Sequence, residues 1–172
     1  QNNCKLFLPL DVVVAEKMAP GAPARVRDPG SIDDDERILD AGPETVDIGA
    51  ALQSALKILA WKMPAAVAVE ISLGGDLEVS GDRSALNQVW LNLLDNALRE
   101  VGERGSICVR AERVGSEICA SVTDTGPGIR AEDKPRLFEP FFSTRPTGEG
   151  TGLGLALCSR IVLAHGGRID VD

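Results

Sequence analysis

Residues 82–101 read DRSALNQVWLNLLDNALREV, and this stretch decides the fold. Its apolar side chains recur at steps of three and four residues, the spacing of one face of an α-helix. They are Leu86, Val89, Trp90, Leu93, Leu94, Ala97, Leu98 and Val101. Asp82 precedes them and is a residue type that accepts hydrogen bonds from the first turn of a helix. The pattern predicts a long helix, capped by Asp82, that buries one face.

A polar strip lies beside that apolar face. At 100° per residue, four side chains fall on one narrow band of the helix: Gln88, Asn92, Asn96 and Arg99. One interpretation is a face that only contacts water, because Asn is ordinary at a surface. The other is a ligand site, because an amide oxygen can coordinate a hard cation and a guanidinium can hold phosphate. The helix alone leaves both interpretations open.

The residues before this helix carry the patterns of a shorter helix and of extended strands. Residues 45–59 carry apolar positions at helical spacing, and Pro64 closes that segment. Residues 67–73 alternate apolar and polar side chains, and residues 77–79 form a second short extended piece. We therefore expect a helix followed by two short strands before Asp82.

A hairpin and a third helix are predicted after the long helix. Residues 106–114 and 117–124 alternate around Gly115-Ser116, which indicates two antiparallel strands with one buried face. That face consists of Ile107, Val109, Ala111, Ile118, Ala120 and Val122. Further on, Thr151 is predicted to cap a helix that runs to about Ala164, where Gly166-Gly167 ends it and a last strand begins.

The order of elements predicts the fold class. Strands with interspersed helices on one face indicate an α/β (α+β) two-layer sandwich. Because the hairpin is antiparallel, we expect a mixed, largely antiparallel sheet. Residues 1–43 differ from the rest, since an apolar stretch is followed by Pro- and Gly-rich turns and an acidic run at 33–36. We interpret them as an N-terminal extension or linker of uncertain structure.

Composition excludes several classes of function. The formal net charge of −8 argues against a sequence-independent grip on nucleic acid or anionic lipid, because both need basic patches. No apolar run approaches the roughly 18–20 residues of a membrane span. The four cysteines are widely spaced and there is a single His, so neither a zinc site nor a disulfide framework is indicated. We expect a soluble, cytoplasmic segment with reduced thiols.

A carboxylate followed by glycines marks the end of the predicted hairpin. Residues 122–129 read VTDTGPGI, with Asp124 at the end of a strand. An Asx turn is one explanation. In the other, a buried ionised Asp accepts the exocyclic amine of adenine and repels the carbonyl of guanine. Asp-Thr-Gly also occurs in aspartic proteases, but these need two copies and do not continue with Pro, so that alternative is weaker.

A glycine run precedes the third helix. Residues 148–155 read GEGTGLGL, and glycines at a helix N-terminus expose amides that, with the helix dipole, favour an anion. It is not a Walker loop, because no Gly-Lys-Ser/Thr follows. A dinucleotide site would need a strand before the glycines, where this chain has Pro140 and Pro146, although Asp170 stands at a suitable spacing. A structural helix start is the remaining alternative.

The segment between these two motifs is rich in Phe. Residues 137–145 read LFEPFFSTR and hold three of the four Phe of the chain. Taken alone, such a cluster is typical of a core anchor. Joined to residues 146–150, it is also consistent with a hinge for a lid over a bound nucleotide, with Arg145 offering charge to the phosphates.

The order of these motifs resembles the catalytic domain of sensor histidine kinases, in the ATPase superfamily that also contains DNA gyrase B and the MutL repair proteins. The resemblance covers residues 44–172, which we expect to form that domain. Residues 92–99 resemble the N box, 124–128 the first glycine box, 138–142 the F box and 150–155 the second glycine box. The resemblance implies a fold of the Bergerat type and binding of ATP with Mg²⁺.

Roles for individual residues are also implied by the resemblance. Asn92 and Arg99 would be catalytic on the phosphate side, and Asn96 would coordinate Mg²⁺. Asp124 would bind the adenine amine. The full set of implied cofactor-binding residues is Asn96, Asp124, Gly126, Gly128, Ile129, Phe138, Arg145, Gly150, Thr151, Gly152, Leu153 and Gly154. Related hydrolases carry Glu at the position of Asn92, so the amide favours phosphoryl transfer over hydrolysis and implies slow intrinsic ATPase activity.

The resemblance further implies a protein-histidine kinase of a two-component system, whose partners are a histidine-bearing dimerisation domain and a response regulator. The single His, His165, stands at a helix end without the neighbours of a phosphoacceptor, and we interpret it as structural or capping. We therefore expect a monomeric module. A nucleotide-binding regulator without phosphotransfer is the alternative.

The resemblance also leaves one strand to be found. In the family, a further strand usually follows the Gly-Gly-Arg-Ile strand and pairs with it as a hairpin. This sequence stops at residue 172, before such a strand. Residues 4–10, CKLFLPL, look like the ending of that missing strand. Residues 1–12 either belong to a preceding unit or pair in its place.

Overall fold

The structure of the chain is a computed structural model, and it describes residues 2–10, 44–145 and 151–172. Seven strands and three helices lie in these ranges. The strands are β1 (Asn2–Pro9), β2 (Glu44–Asp47), β3 (Ala66–Gly74), β4 (Glu78–Gly81), β5 (Arg104–Val114), β6 (Glu117–Asp124) and β7 (Arg168–Val171). The helices are α1 (Ile48–Leu59), α2 (Arg83–Val101) and α3 (Gly154–Ala164). Short 3₁₀ turns occupy Ala60–Lys62 and Lys134–Arg136.

Five strands form the main sheet, in the order β3-β5-β6-β1-β7. β3 runs parallel to β5, and the other three pairings, β5 with β6, β6 with β1 and β1 with β7, are antiparallel. β2 and β4 pair separately as a two-stranded antiparallel sheet. The predicted mixed, largely antiparallel sheet is confirmed.

The N-terminal strand lies inside the main sheet. β1 pairs with β6 along its whole length and with β7 through residues 4–7. Leu6 and Leu8, on the inner face of β1, are fully buried. Of the two interpretations of residues 1–12, the structure shows the second for residues 2–9, which pair between β6 of the hairpin and the last strand. Residues 1, 11 and 12 lie outside the described ranges.

α2 is the central helix, and its sequence explains its position. Asp82 caps it, since the Asp82 carboxylate accepts a hydrogen bond from the Ala85 amide at 3.0 Å. All eight apolar side chains of the predicted face are buried. They pack against the inner faces of β5 and β6, where the six side chains predicted for the buried face of the hairpin are also buried. The helices thus cover one face of the sheet, as predicted.

The start of α1 differs from the prediction. Residues 45 and 46 belong to β2, where Val46 pairs with Val79 of β4, and the helix begins only at Ile48. Asp47 stops the strand and caps the helix, because its carboxylate accepts a hydrogen bond from the Ala50 amide at 3.1 Å. Helical spacing alone did not reveal this change, because a buried Val is equally at home in a strand.

α3 begins later than predicted and ends where predicted. Thr151 does not cap the helix; its hydroxyl accepts a hydrogen bond from Leu153 at 3.4 Å, and α3 begins at Gly154. The helix ends at Ala164, and Gly166 continues the chain at φ +67°, a conformation that favours glycine. None of the helices in the described part of the chain is both long and apolar enough to cross a membrane.

His165 joins the end of α3 to the start of α2. Its Nε2 accepts a hydrogen bond from the Asp82 amide at 3.0 Å, and its Nδ1 lies 2.7 Å from the carbonyl of Ile161. These contacts require a neutral ring that carries its proton on Nδ1. The predicted structural role of His165 is confirmed.

Candidate functional site

A cleft of about 510 Å³ opens between α2, the end of the main sheet and the start of α3. α2 forms one wall, the loop that follows β6 forms another, and residues around 142–145 and 151–155 close the third side. Cys4, Val122 and Val171 contribute side chains from three neighbouring strands. This is the volume and the mixed polar and apolar lining of a site for a small organic ligand.

Asp124 lies where the sheet meets the cleft. The inward side chains of β6 alternate, so Asp124 falls on the same face as Ile118, Ala120 and Val122 and is only 5% exposed. Its carboxylate accepts a hydrogen bond from the Gly126 amide at 2.8 Å, which forms an Asx turn. The turn and the buried carboxylate therefore coexist, and the turn fixes the carboxylate at the cleft.

Gly126 makes that geometry possible. A Cβ on Gly126 would lie 2.7 Å from Oδ1 of Asp124 and 2.9 Å from Cβ of Glu100. The loop after β6 thus packs directly on the end of α2, with no room for a side chain at this residue.

The polar strip of α2 faces the cleft. Asn92, Asn96 and Arg99 all line it. The Asn92 amide donates to the carbonyl of Gly154 at 3.5 Å, and it accepts a hydrogen bond from Gln88 at 3.1 Å. The strip therefore meets the N-terminal end of α3 instead of serving only as a solvated surface.

Every arginine that lines the cleft, within the described residues, pairs with a carboxylate that also lines it. The three pairs are Arg99 with Asp95 at 2.7 Å, Arg130 with Asp133 at 2.7 Å, and Arg145 with Glu100 at 2.5 Å. Asp95 also accepts a hydrogen bond from Lys62 at 2.9 Å. Each of these arginine charges is thus paired with a carboxylate of the same cleft.

The glycine segment before α3 meets the Phe-rich segment backbone to backbone. The Phe141 amide donates to the carbonyl of Gly152 at 3.0 Å. Gly152 has φ +65°, and a Cβ there would lie 2.4 Å from the carbonyl carbon of Phe141. Phe141 itself has φ +66°, which is uncommon for a residue with a side chain and marks local strain.

The structure brings most of the predicted site residues together. Ten of them line the cleft, namely Asn92, Asn96, Arg99, Asp124, Gly128, Ile129, Arg145, Thr151, Gly152 and Gly154. Gly126 packs behind Asp124, and Phe138 packs against the core instead of facing the cleft. Leu153 stands beside the cleft with 42% of its surface exposed. Gly150 lies outside the described residues.

Glu100 and Cys4 are two of the cleft residues that the sequence analysis did not assign to the site. Glu100 lies next to the predicted strip, but its ion pair with Arg145 spans 45 residues and leaves no local pattern. Cys4 reaches the cleft only because β1 pairs with β6, where Cys4 is opposite Val122. Burial, and secondarily the nearby Cys158, raises the pKa of the Cys4 thiol to about 12, so it lines the cleft as a neutral group.

Residues 81–172 match the family model of the histidine kinase-, DNA gyrase B- and HSP90-like ATPases. The chain belongs to this family. The match covers more than half of the chain and includes α2, the loop after β6 and the glycine segment. Every residue that lines the cleft, except Cys4, lies in the matched region. Membership excludes the aspartic protease and dinucleotide-binding alternatives.

Sensor histidine kinases are among the similar proteins. The domain is 46% identical over 94 residues to the sensor histidine kinase ZraS of Escherichia coli K12. This alignment covers 55% of this chain and 20% of that protein. It is 42% identical over 106 residues to the alginate biosynthesis sensor protein KinB of Pseudomonas aeruginosa, covering 61% of this chain and 18% of that protein. The chain therefore spans about a fifth of the length of these relatives.

Solved structures agree with the fold. The mycobacterial sensor histidine kinase MprB is 32% identical, with a TM-score of 0.65, and the alignment covers 72% of this chain and 80% of that one. The catalytic domain of histidine kinase ThkA is 26% identical, with a TM-score of 0.67, over 76% of this chain and 93% of that one. The fold of this ATPase domain is that of histidine kinase catalytic domains.

Proposed function

We propose that this ATPase domain binds ATP with Mg²⁺ in the cleft and supplies the γ-phosphoryl group for phosphorylation of a histidine on a separate dimerisation domain. One observation carries the proposal. The buried carboxylate of Asp124 and the N-terminal end of α3 open onto the same cleft, so one ligand can contact both. In a nucleotide, the base can contact Asp124 and the phosphates can contact the N-terminal end of α3.

Asp124 selects the base. An ionised carboxylate accepts hydrogen bonds and cannot donate them, so it pairs with the amine of adenine and opposes the carbonyl of guanine. The neighbouring side chains of Val122, Ile129 and Leu137 supply apolar surface for a purine ring. This pairing of one directed polar group with apolar walls favours ATP over GTP.

The start of α3 holds the phosphates. α3 is eleven residues long, and its first amides have no partner within the helix, so they carry the positive end of the helix dipole. Thr151, Gly152 and Gly154 line the cleft at that end. Arg99 and Arg145 add charge from α2 and from the Phe-rich segment, once phosphate competes with their present carboxylate partners.

The residues present fit a magnesium ion that depends on the nucleotide for most of its ligands. No cluster of three or more His, Cys, Asp or Glu side chains in the ranges 2–10, 44–145 and 151–172 is arranged to hold a metal. Asn96 lines the cleft one helical turn from Asn92, and Mg²⁺ typically takes one or two protein oxygens together with phosphates and water. Asn96 would hold the ion, which when bound neutralises charge on the phosphates.

Phosphoryl transfer, rather than hydrolysis, fits the chemistry of α2. Asn92 stands nearest to the start of α3, where its amide donates to Gly154. An amide has no basic group at neutral pH and cannot accept a proton from water as a carboxylate does. The domain would therefore hydrolyse ATP slowly by itself and wait for an acceptor.

The acceptor lies on another domain. His165 is the single His of these 172 residues, it is 8% exposed, and both of its ring nitrogens are engaged in contacts with backbone groups. We therefore infer a histidine-bearing dimerisation domain as a partner. From the similarity to sensor histidine kinases we further propose a response regulator as a second partner, a cytoplasmic location and a monomeric state for residues 1–172.

The test is phosphotransfer in solution. The chain is mixed with γ-labelled ATP, Mg²⁺ and a supplied histidine dimerisation domain, and label on the acceptor is followed with time. We expect labelled acceptor, lost in Asn96→Ala and retained in Glu117→Gln, a surface change on β6. ATP binding without any labelled acceptor would instead favour a nucleotide-binding regulator.

A further inference from the structure

Among the three described arginines that line the cleft, Arg145 alone pairs with a carboxylate from a separate part of the chain, Glu100. The Arg99 and Arg130 pairs are local, at spacings of four and three residues. Arg145 instead reaches from the Phe-rich segment to the last turn of α2, where its Nη2 lies 2.5 Å from Oε1 of Glu100. It is also the least exposed of the three arginine side chains, at 23%.

The position of Glu100 is set by its surroundings. Its Cβ and carbonyl pack against Gly126, so closely that a Cβ on Gly126 would lie 2.9 Å from each. Gly126 in turn donates to Asp124. The carboxylate of Glu100 therefore projects from a fixed backbone at the mouth of the cleft, and Arg145 is the partner it holds there.

We propose that Glu100 is an affinity-determining residue that opposes the binding of nucleoside polyphosphates by holding Arg145. This inference rests on the proposed function. A phosphate chain in the cleft attracts the Arg145 guanidinium, so binding exchanges one anionic partner of Arg145, the Glu100 carboxylate, for another. Without the Glu100 carboxylate, Arg145 can pair with the phosphates without first breaking an ion pair. Glu100 is a positioning residue, since it acts through Arg145.

The size of the effect follows from the exposure of the pair. Glu100 is 34% exposed, and ion pairs with this much water contact are worth a few tenths to about 1 kcal/mol. Removing the carboxylate should therefore tighten ATP binding about 2- to 5-fold. Adenosine has the same base and no phosphates, so its affinity should stay within about twofold.

The experiment is calorimetric titration of the full chain with ATP and with adenosine. The variants are Glu100→Gln, Arg145→Gln and the double change. Glu117→Gln is the matched control, because Glu117 also pairs with an arginine, Arg168 at 2.8 Å, but lies at the opposite end of β6 from Asp124. Melting temperatures establish that each variant is folded.

We expect Glu100→Gln to bind ATP more tightly and adenosine as before, and Glu117→Gln to match the wild type. Arg145→Gln should weaken ATP binding, and Glu100→Gln should bring no gain when Arg145 is already replaced. Unchanged or weaker ATP binding by a folded Glu100→Gln, beside a wild type that binds ATP, would overturn this inference alone. A folded wild type that binds no ATP would overturn the proposed function and this inference with it.

Discussion

Replacing Leu6 by Ala tests whether the N-terminal strand is part of the domain. Leu6 is fully buried, with β6 on one side of its strand and β7 on the other. Its register partners are Ala120 and Ile169, which are both buried. The change Leu6→Ala removes side-chain volume from the centre of the sheet and leaves the backbone pairing possible.

The magnitude follows from the buried volume that is lost. Leu→Ala removes three carbon atoms, each worth about 0.8 kcal/mol when buried. The cavity left behind adds to this, and buried Leu→Ala changes generally cost about 2–5 kcal/mol. We expect the free energy of unfolding to fall by about 3 kcal/mol, a large fraction of the roughly 5–15 kcal/mol of an ordinary domain.

The assay is urea unfolding followed by far-ultraviolet circular dichroism. With a slope of about 2 kcal/mol per molar urea, the midpoint should fall by about 1.5 M. Leu163→Ala is the matched control, because Leu163 is 63% exposed and its loss should cost within about 0.5 kcal/mol. A Leu6→Ala midpoint that matches the Leu163→Ala midpoint would refute the placement of β1 in the sheet.

Three further predictions concern Gly152, His165 and Cys158. Gly152→Ala should weaken ATP binding at least about tenfold in calorimetry, because the new Cβ meets the Phe141 backbone at 2.4 Å. Gly75→Ala is the control: Gly75 also has a positive φ but lies in open space, so this variant should bind ATP normally. His165→Ala should lower the free energy of unfolding by about 2–3 kcal/mol in urea titrations, because the Asp82 amide loses its acceptor and a cavity forms; an unchanged midpoint would refute the link. Burial raises the pKa of the Cys158 thiol from 9.0 to about 12, so native Cys158 should resist alkylation at pH 8. Its contribution to stability should be lost as pH rises from about 9 towards 12, because only the unfolded thiol ionises there, and stability that does not fall over this window would contradict the shift.

The parts of the fold that the sequence predicted are those that local patterns determine. α2 combines a capping Asp with eight apolar side chains at helical spacing, and the hairpin combines two alternating runs with a Gly-Ser turn. The same alternation places Asp124 on the inner face, so its burial follows from Val122 and Ala120 before it. Each of these needed information from no more than twenty consecutive residues.

The parts that were missed depend on distant partners. Thr45 and Val46 form a strand because β4 is available to pair with them, and Thr151 is not a cap because the backbone of Gly152 is held against Phe141. The placement of β1 remained an alternative because its partner strands begin more than a hundred residues later. Glu100 and Cys4 join the cleft only through such long-range contacts, so no local pattern identified them.

The most direct test of nucleotide binding is calorimetric titration of the full chain with ATP and with GTP, in Mg²⁺, beside an Asp124→Asn variant. We predict that the wild type binds ATP at least about 30-fold more tightly than GTP, because guanine presents a carbonyl to the buried carboxylate. The Asn side chain both donates and accepts, so the variant should lose most of this preference. A folded wild type that binds ATP and GTP equally, or neither, would contradict the account.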